Sequence, residues 1–234
     1  MCPKVGYGAW AFWPSAMRGL MMATIEIQTS RFGVVRCQSE DLIHFPEGIL
    51  GFSDLRQFVL LDDPNDEIFA WLQSCSVPQI AFPVLEPELF SQNYQMNLTR
   101  HDLESLDMRE YLQGLHSQVQ VATAKLAAVE APLKDAANTK RAEPIPGLRS
   151  FSIITIPDDP TQMTANLKAP IVINVAKRMA KQIVLQDNNL AIREPIFQKL
   201  QMRVVQNPQA PIKTQAADWG VAVRLPSQGP EASV

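Results

Sequence analysis

The chain has 234 residues, of which 46% are apolar, 19% charged and 7% aromatic. This composition is typical of a globular protein that can bury a sizeable core without disulfides or metals. The formal net charge of −3 hides a gradient, because residues 40–110 contain 14 acidic and 3 basic residues. No apolar run is long enough for a membrane span. We therefore expect no membrane contact. The cysteines Cys2, Cys37 and Cys75 form no CxxC pair, so we expect reduced thiols and no metal site.

Residues 1–22 precede the first regular pattern. Gly6, Gly8 and Pro14 interrupt the apolar stretch, which disfavours a secretory signal. We expect these residues to be a disordered lead or an artefact of the start site.

Short strands are predicted from Ala23 onward, because apolar and polar residues alternate between polar or proline-containing turns. Pro83 cannot donate to a ladder, so its strand is expected at an edge or with a bulge. Gly48 and Gly51 predict a loop over 47–52. The spacing indicates an antiparallel sandwich or small barrel. The predicted strands are 23–29, 34–37, 42–45, 57–61, 69–73, 80–85 and 94–98.

A helix is predicted to begin after Thr99, with Asp102 completing a variant capping box and Leu103 and Leu106 on one face. It could continue through Leu112. Residues 113–149 are rich in Ala, Gln and Lys, and we interpret them as an insertion that forms either a short surface helix or a disordered segment.

The second half returns to strand patterns. Strands are predicted over 151–156 and 169–174, followed by a hairpin of 181–185 with 190–192. Periodicity is lost after Phe197. The domain is therefore expected to span 23–198, with the insertion 113–149, and 199–234 is expected to be a flexible tail.

Enzymatic chemistry finds little support in the chain. It has no nucleophile elbow, phosphate-binding loop, dinucleotide fingerprint or zinc-protease motif, and its three histidines are dispersed. The pairs Asp62/Asp63 and Asp158/Asp159 are better explained as solvated turns. We expect no catalytic residues and no cofactor. The histidines are His44, His101 and His116.

Direct binding of nucleic acid is also disfavoured. The acidic block would repel phosphates, and the basic cluster of Lys177, Arg178 and Lys181 has no interleaved aromatic residues and is interpreted as a solvated turn. Protein binding remains, since an acidic surface speeds and orients association with a basic partner. Phe52 and Phe90 lie near loops and are candidate anchors of a binding face, with burial in the core as the alternative.

Several blocks of the sequence resemble the flagellar assembly factor FliW family, in order and over about 23–195 without the insertion. The run 156–160 followed by 163–174 resembles the most distinctive motif of the family. The blocks are 31–33, 43–52, 58–63, 71–74, 156–160 and 163–174. The insertion and the tail are longer than is usual in this family.

The resemblance implies a mainly β fold, a small antiparallel β-barrel-like domain with one or two short helices. It also implies a cytoplasmic, non-enzymatic protein, expected to be a monomer when free. Such a protein binds flagellin and antagonises the translational regulator CsrA, which couples flagellin translation to export. The alternatives are a flagellin export chaperone that does not bind the regulator and, less favoured, a hydrolase on a β-barrel scaffold.

Two groups of residues are expected to contact partners. Asp62, Asp63 and Glu67 are candidates for electrostatic steering. Met163, Thr164 and Asn166 are candidates for direct contact, because they form a polar loop before a proline-containing strand. Their alternative role is a turn whose hydrogen bonds hold the sheet.

Overall fold

The computed structural model describes residues 23–66, 68–114, 145–206 and 218–226. Three of the sequence predictions therefore lie wholly or largely outside the described residues. These are the lead 1–22, Glu67, and the greater part (115–144) of the insertion 113–149.

The described chain is mainly β. Its strands are β1 Thr24–Thr29, β2 Gly33–Gln38, β3 Leu42–His44, β4 Gln57–Asp62, β5 Ala70–Ser74, β6 Ala81–Leu85, β7 Leu148–Thr155, β8 Thr164–Ala165, β9 Ile171–Asn174, β10 Met179–Gln182, β11 Glu194–Pro195 and β12 Ala222–Arg224. The helices are α1 Arg100–Ser105 and α2 Phe197–Gln206, with 3-10 turns at Ser39–Asp41, Pro87–Leu89 and Pro160–Gln162. Residues 109–114 are also helical.

Seven strands close into a barrel in the order β7, β6, β5, β4, β3, β10, β9 and back to β7. The closing pair joins Leu148 to Asn174 and Phe151 to Ile171. All neighbours in the barrel are antiparallel except β3 and β10, which are parallel. The predicted fold class, a small β-barrel-like domain with short helices, is confirmed.

The continuous apolar run of β4 is explained by burial on both of its faces. Phe58 and Leu60 point into the barrel core. Val59 and Leu61 point outward into a second cluster with Trp71 and the β1–β2 hairpin, which forms a separate two-stranded sheet. A strand buried on both sides has no polar face, so alternation is lost.

A third cluster packs against the outside of the barrel and contains α1, the Pro87–Leu89 turn and Leu200 of α2. Helix α1 begins where the sequence predicts. The Thr99 hydroxyl accepts from the Asp102 N–H, and the Asp102 carboxylate accepts from the Thr99 N–H at 3.0 Å. This capping box satisfies the first N–H groups of the helix. Helical conformation is interrupted at 106–108, where Asp107 has a φ of 54°, and resumes at 109.

One predicted strand and one predicted hairpin are wrong. Residues 94–98 are not a strand, because Tyr94 packs into the core and its hydroxyl donates to the Leu167 carbonyl at 2.9 Å, without a partner strand. The hairpin of 181–185 with 190–192 does not form either. Strand β10 pairs with β9, whereas residues 190–192 form no strand, and the Ala191 carbonyl accepts from the Leu167 N–H at 3.0 Å.

The strand that contains Pro83 is internal, since β6 lies between β5 and β7. The Ser74 N–H donates to the Ile80 carbonyl, so these two residues form a hydrogen-bonded pair. Hydrogen-bonded and non-hydrogen-bonded pairs alternate along an antiparallel ladder, so Pro83 and Trp71 form a non-hydrogen-bonded pair and the nitrogen of Pro83 points toward β7. The ladder between β6 and β7 contains only Val84 and Leu85. Pro83 is therefore tolerated because its nitrogen faces a position where no ladder is formed.

The segment predicted as a flexible tail contains regular structure. Helix α2 continues to Gln206, and β12 pairs in parallel with β4 over Leu60–Asp62. Sequence reasoning missed β12 because a strand of three residues, Ala222–Arg224, has too few positions to show alternation.

Candidate protein-binding surface

The loop of residues 47–52, here called the tip loop, is a tight turn that folds back on itself. The Phe52 N–H donates to the Ile49 carbonyl at 2.7 Å, and the Gly48 N–H donates to the Phe45 carbonyl at 3.1 Å. Gly48 has a φ of 72°, and a Cβ at this position would lie 2.7 Å from the Phe52 carbonyl oxygen. The turn therefore requires glycine at position 48.

The side chains of the tip loop point in opposite directions. Ile49 is 2% exposed in the barrel core, whereas Leu50 is 60% exposed at the turn. Phe52 is half-buried, and its ring packs edge-on against Phe82 at 5.4 Å. Phe52 thus packs the tip loop against the barrel, and Leu50 is the apolar residue of the loop that is exposed. The sequence signal for an exposed Leu50 is its position next to Ile49 in a tight turn, because two adjacent large apolar side chains cannot both be buried there.

Strand β10 holds the tip loop by side-chain hydrogen bonds. The Gln182 Oε1 accepts from the Leu50 N–H at 2.9 Å, and the Gln182 Nε2 donates to the Ala169 carbonyl at 3.0 Å. The Asn166 Oδ1 in turn accepts from the N–H groups of Lys168 and Ala169 at 3.1 and 2.9 Å. Asn166 is therefore connected to Leu50 through Ala169 and Gln182, and it orders the surface without forming its exposed part.

An ion-pair cluster anchors the start of the tip loop. The Lys181 Nζ lies 3.1 Å from Glu47 Oε1 and 3.4 Å from Asp102 Oδ1, and the Lys181 side chain is only 12% exposed. Lys181 is thus part of β10, and its assignment to a solvated basic turn is wrong. Burial of Asp102 raises its pKa, but hydrogen bonds from Thr99 and the charge of Lys181 more than offset this and hold the pKa of that carboxyl below its ordinary value.

The acidic turn that follows β4 is internally bonded. Asp62 is 6% exposed, and its Oδ2 lies 3.3 Å from Arg224 Nε. The Asp63 Oδ1 accepts from the Asn65 N–H and side-chain amide. The Asp66 carboxylate accepts from the Trp71 Nε1 at 2.9 Å. These carboxylates shape the turn, so Asp62 is a structural ion-pair partner and not a free steering charge.

The tip loop and the acidic turn lie at opposite ends of β4. The tip loop precedes Gln57 and the acidic turn follows Asp62. Six residues of strand span about 20 Å, so the two groups of candidate residues do not form one compact site.

The remaining candidate residues are buried or lie within the sheet. Phe90 and Met163 are 6% and 5% exposed, and both pack in the cluster beside α1. These side chains complete the core, so Phe90 takes the alternative of burial and the expected exposure of Met163 is wrong. Thr164 is half-buried in β8, where it pairs with Thr155 and Pro195.

Comparison with known proteins identifies the family. The family described as FliW protein matches residues 26–140 and 134–196, which include all seven strands of the barrel. The chain belongs to the FliW family. The tip loop, the acidic turn and Asn166 all lie within the matched residues.

Individual FliW proteins are similar to this chain over most of their length. The flagellar assembly factor FliW of Bdellovibrio bacteriovorus is 56% identical over 199 residues, which cover 85% of this chain and 94% of that protein. The FliW of Thermoanaerobacter pseudethanolicus is 30% identical over 177 residues, 75% of this chain and 95% of that protein. A crystal structure of the flagellar assembly factor FliW aligns with a TM-score of 0.54 and 28% identity, covering 74% of this chain and 97% of that one. The family supports a role in flagellar assembly.

Two features are absent from the part of the chain that the structure describes. No helix there is long and apolar enough to cross a bilayer. No group of three or more histidine, cysteine, aspartate or glutamate side chains in the same part of the chain could hold a metal ion.

Proposed function

We propose that this protein is a cytoplasmic, non-enzymatic regulator of flagellar assembly that binds flagellin and, in the absence of flagellin, binds and antagonises CsrA. Membership of the FliW family supports the flagellar role. The two partners would be exchanged by mass action, so that export of flagellin frees the protein for CsrA.

The exposed Leu50 of the tip loop is the observation that supports a protein-binding surface. Leu50 is exposed, yet its backbone and the residues on either side are fixed by hydrogen bonds and by the glycine at position 48. Because the backbone of Leu50 is already held in place, less conformational freedom is lost when a partner buries its side chain, and the burial contributes more to affinity. We assign Leu50 as a central contact, with Glu47 at its polar rim.

Titration of the purified full-length protein with flagellin and with CsrA tests the proposal. We expect both to bind by isothermal titration calorimetry, and we expect added flagellin to displace CsrA. Binding of flagellin without CsrA would instead support the export chaperone. Binding of neither partner would contradict the proposed function.

The role of Leu50 is tested by Leu50→Asp, with Val34→Asp as a matched control. Both residues are exposed aliphatic side chains, at 60% and 53%, but Val34 lies on the separate β1–β2 hairpin. We expect Leu50→Asp to weaken partner binding by about tenfold or more, as for a central interface residue, and the control to bind normally. Equal effects of the two substitutions would contradict the assignment.

A further inference from the structure

Strand β4 has two neighbours on the same edge. Strand β3 pairs with the first half of β4, from Gln57 to Val59. The second half, Leu60–Asp62, is paired in parallel with β12. Beyond the end of β3, this edge of the barrel is therefore completed by a segment near the C-terminus.

We call residues 218–226 the strap. Val221 is 1% exposed and lies in the barrel core cluster. The Trp219 ring lies 6.3 Å from the Phe151 ring, and the Arg149 guanidinium stacks over it at 4.4 Å. The Leu225 N–H donates to the Asp62 carbonyl at 2.9 Å. The strap is thus held by the side-chain contacts of Val221 and Trp219, here called its two seats, and by a short backbone ladder.

Val221 is the one fully buried side chain of the strap. Trp219, Ala222, Val223 and Leu225 are half-buried. The Arg224 side chain is 67% exposed, whereas its ion-pair partner Asp62 is buried. Docking of the strap orders nine residues, and this loss of conformational entropy opposes the contacts.

The barrel closes without the strap. All seven barrel strands lie within the residues that match the FliW family, 26–196, whereas the strap begins at residue 218. The edge of β4 at Leu60–Asp62 therefore lies within the matched residues, whereas the strap that pairs with it lies outside them.

We propose that the edge of β4 at Leu60–Asp62 is a binding site for an extended segment of a partner protein, and that the strap occupies this site in cis. Addition of a strand to a sheet edge is a common mode of peptide recognition, with side-chain seats giving specificity. The strap defines the chemistry of the partner segment. It runs parallel to β4 and carries an aromatic residue, an aliphatic residue two positions later and a basic residue three positions after that, facing Asp62. This site goes beyond the proposed function, because it does not depend on flagellin or CsrA being the partner.

A labelled synthetic peptide with the sequence of residues 218–226 is the probe. In the wild-type chain the tethered strap competes at high effective concentration, so the probe is expected to bind weakly. The full-length variant Val221→Asp places a charge in the buried seat and expels the strap. We expect this variant to bind the probe at least about tenfold more tightly than the wild type by fluorescence anisotropy.

A probe that itself carries Val221→Asp is the matched control and is expected not to bind. Circular dichroism establishes that the full-length variant is folded. Trp219→Ala is a second opened variant, which removes the ring contacts with Phe151 and Arg149 and leaves Val221 in place. A folded variant that binds both probes equally would overturn the proposal. Loss of the folded state in both variants would also overturn it, because the strap would then be an inseparable part of the barrel.

Discussion

The two glycines of the tip loop have positive φ angles but different surroundings. A Cβ on Gly48 would lie 2.7 Å from backbone atoms of Phe52 and Ser53, whereas a Cβ on Gly51 would have nothing within 4 Å. We expect Gly51→Ala to cost about 1 kcal/mol for its left-handed backbone. We expect Gly48→Ala to cost about 3 kcal/mol, because overpacking is added to the same strain. Urea unfolding measures both, and equal losses would contradict this account of the loop.

The Asp102 carboxylate links stability to pH. Its pKa in the folded state is held below the ordinary value. The ionised group therefore stabilises the fold above the unfolded pKa of about 4, and this contribution is lost as the pH falls through the folded pKa. Asp102→Asn keeps an acceptor for Thr99 but removes the charge that faces Lys181. We expect the difference in unfolding free energy between wild type and variant to shrink from pH 7 toward pH 3. A difference that does not change with pH would exclude this linkage.

At the scale of elements, β10 couples three parts of the surface. Lys181 contacts Glu47 and α1, and Gln182 bonds both the tip loop and Ala169. Neighbouring side chains on one strand thus decide how the tip loop is held. The sequence signal for this arrangement is weak, because a basic residue followed by an amide in a short strand is equally typical of an exposed edge.

The substitution Gln182→Ala distinguishes the effect of holding the tip loop on partner affinity from its effect on the stability of the barrel. We expect a loss of about 1 kcal/mol in unfolding free energy, because the hydrogen bond to Leu50 lies at an exposed position. We also expect a severalfold loss of partner affinity, because the loop would have to be ordered on binding. The exposed Gln186 provides the control Gln186→Ala. Unchanged affinity for Gln182→Ala would show that β10 does not preorganise the loop.

At the scale of the molecule, alternation and turn residues predicted the β class and most strand positions, and the capping box predicted α1. Pairings between distant segments were not predictable from local patterns. Tyr94 shows the reason. Its ring packs in the core and its hydroxyl donates to the Leu167 carbonyl, so the apolar and polar residues of 94–98 alternate as in a strand although no strand is formed. The positions of Phe90 and Met163 near loops favour exposure, yet local sequence does not reveal which loop side chains turn inward.

The burial of Asp62 changes how the acidic segment can act in association. Asp62 is closed off by Arg224, so long-range attraction has to come from exposed acids such as Asp54, which follows the tip loop. We expect Asp54→Lys to slow association with the flagellar partner about threefold at low salt, with little change in the dissociation rate, because rim charges act mainly on encounter. The effect should disappear near 0.5 M salt, roughly where screening shortens electrostatic range to a few ångströms. Asp158→Lys, at an exposed position after β7, makes the same charge change as a control. Stopped-flow measurement of an equal slowing by both variants would assign the effect to net charge and contradict a local steering role beside the tip loop.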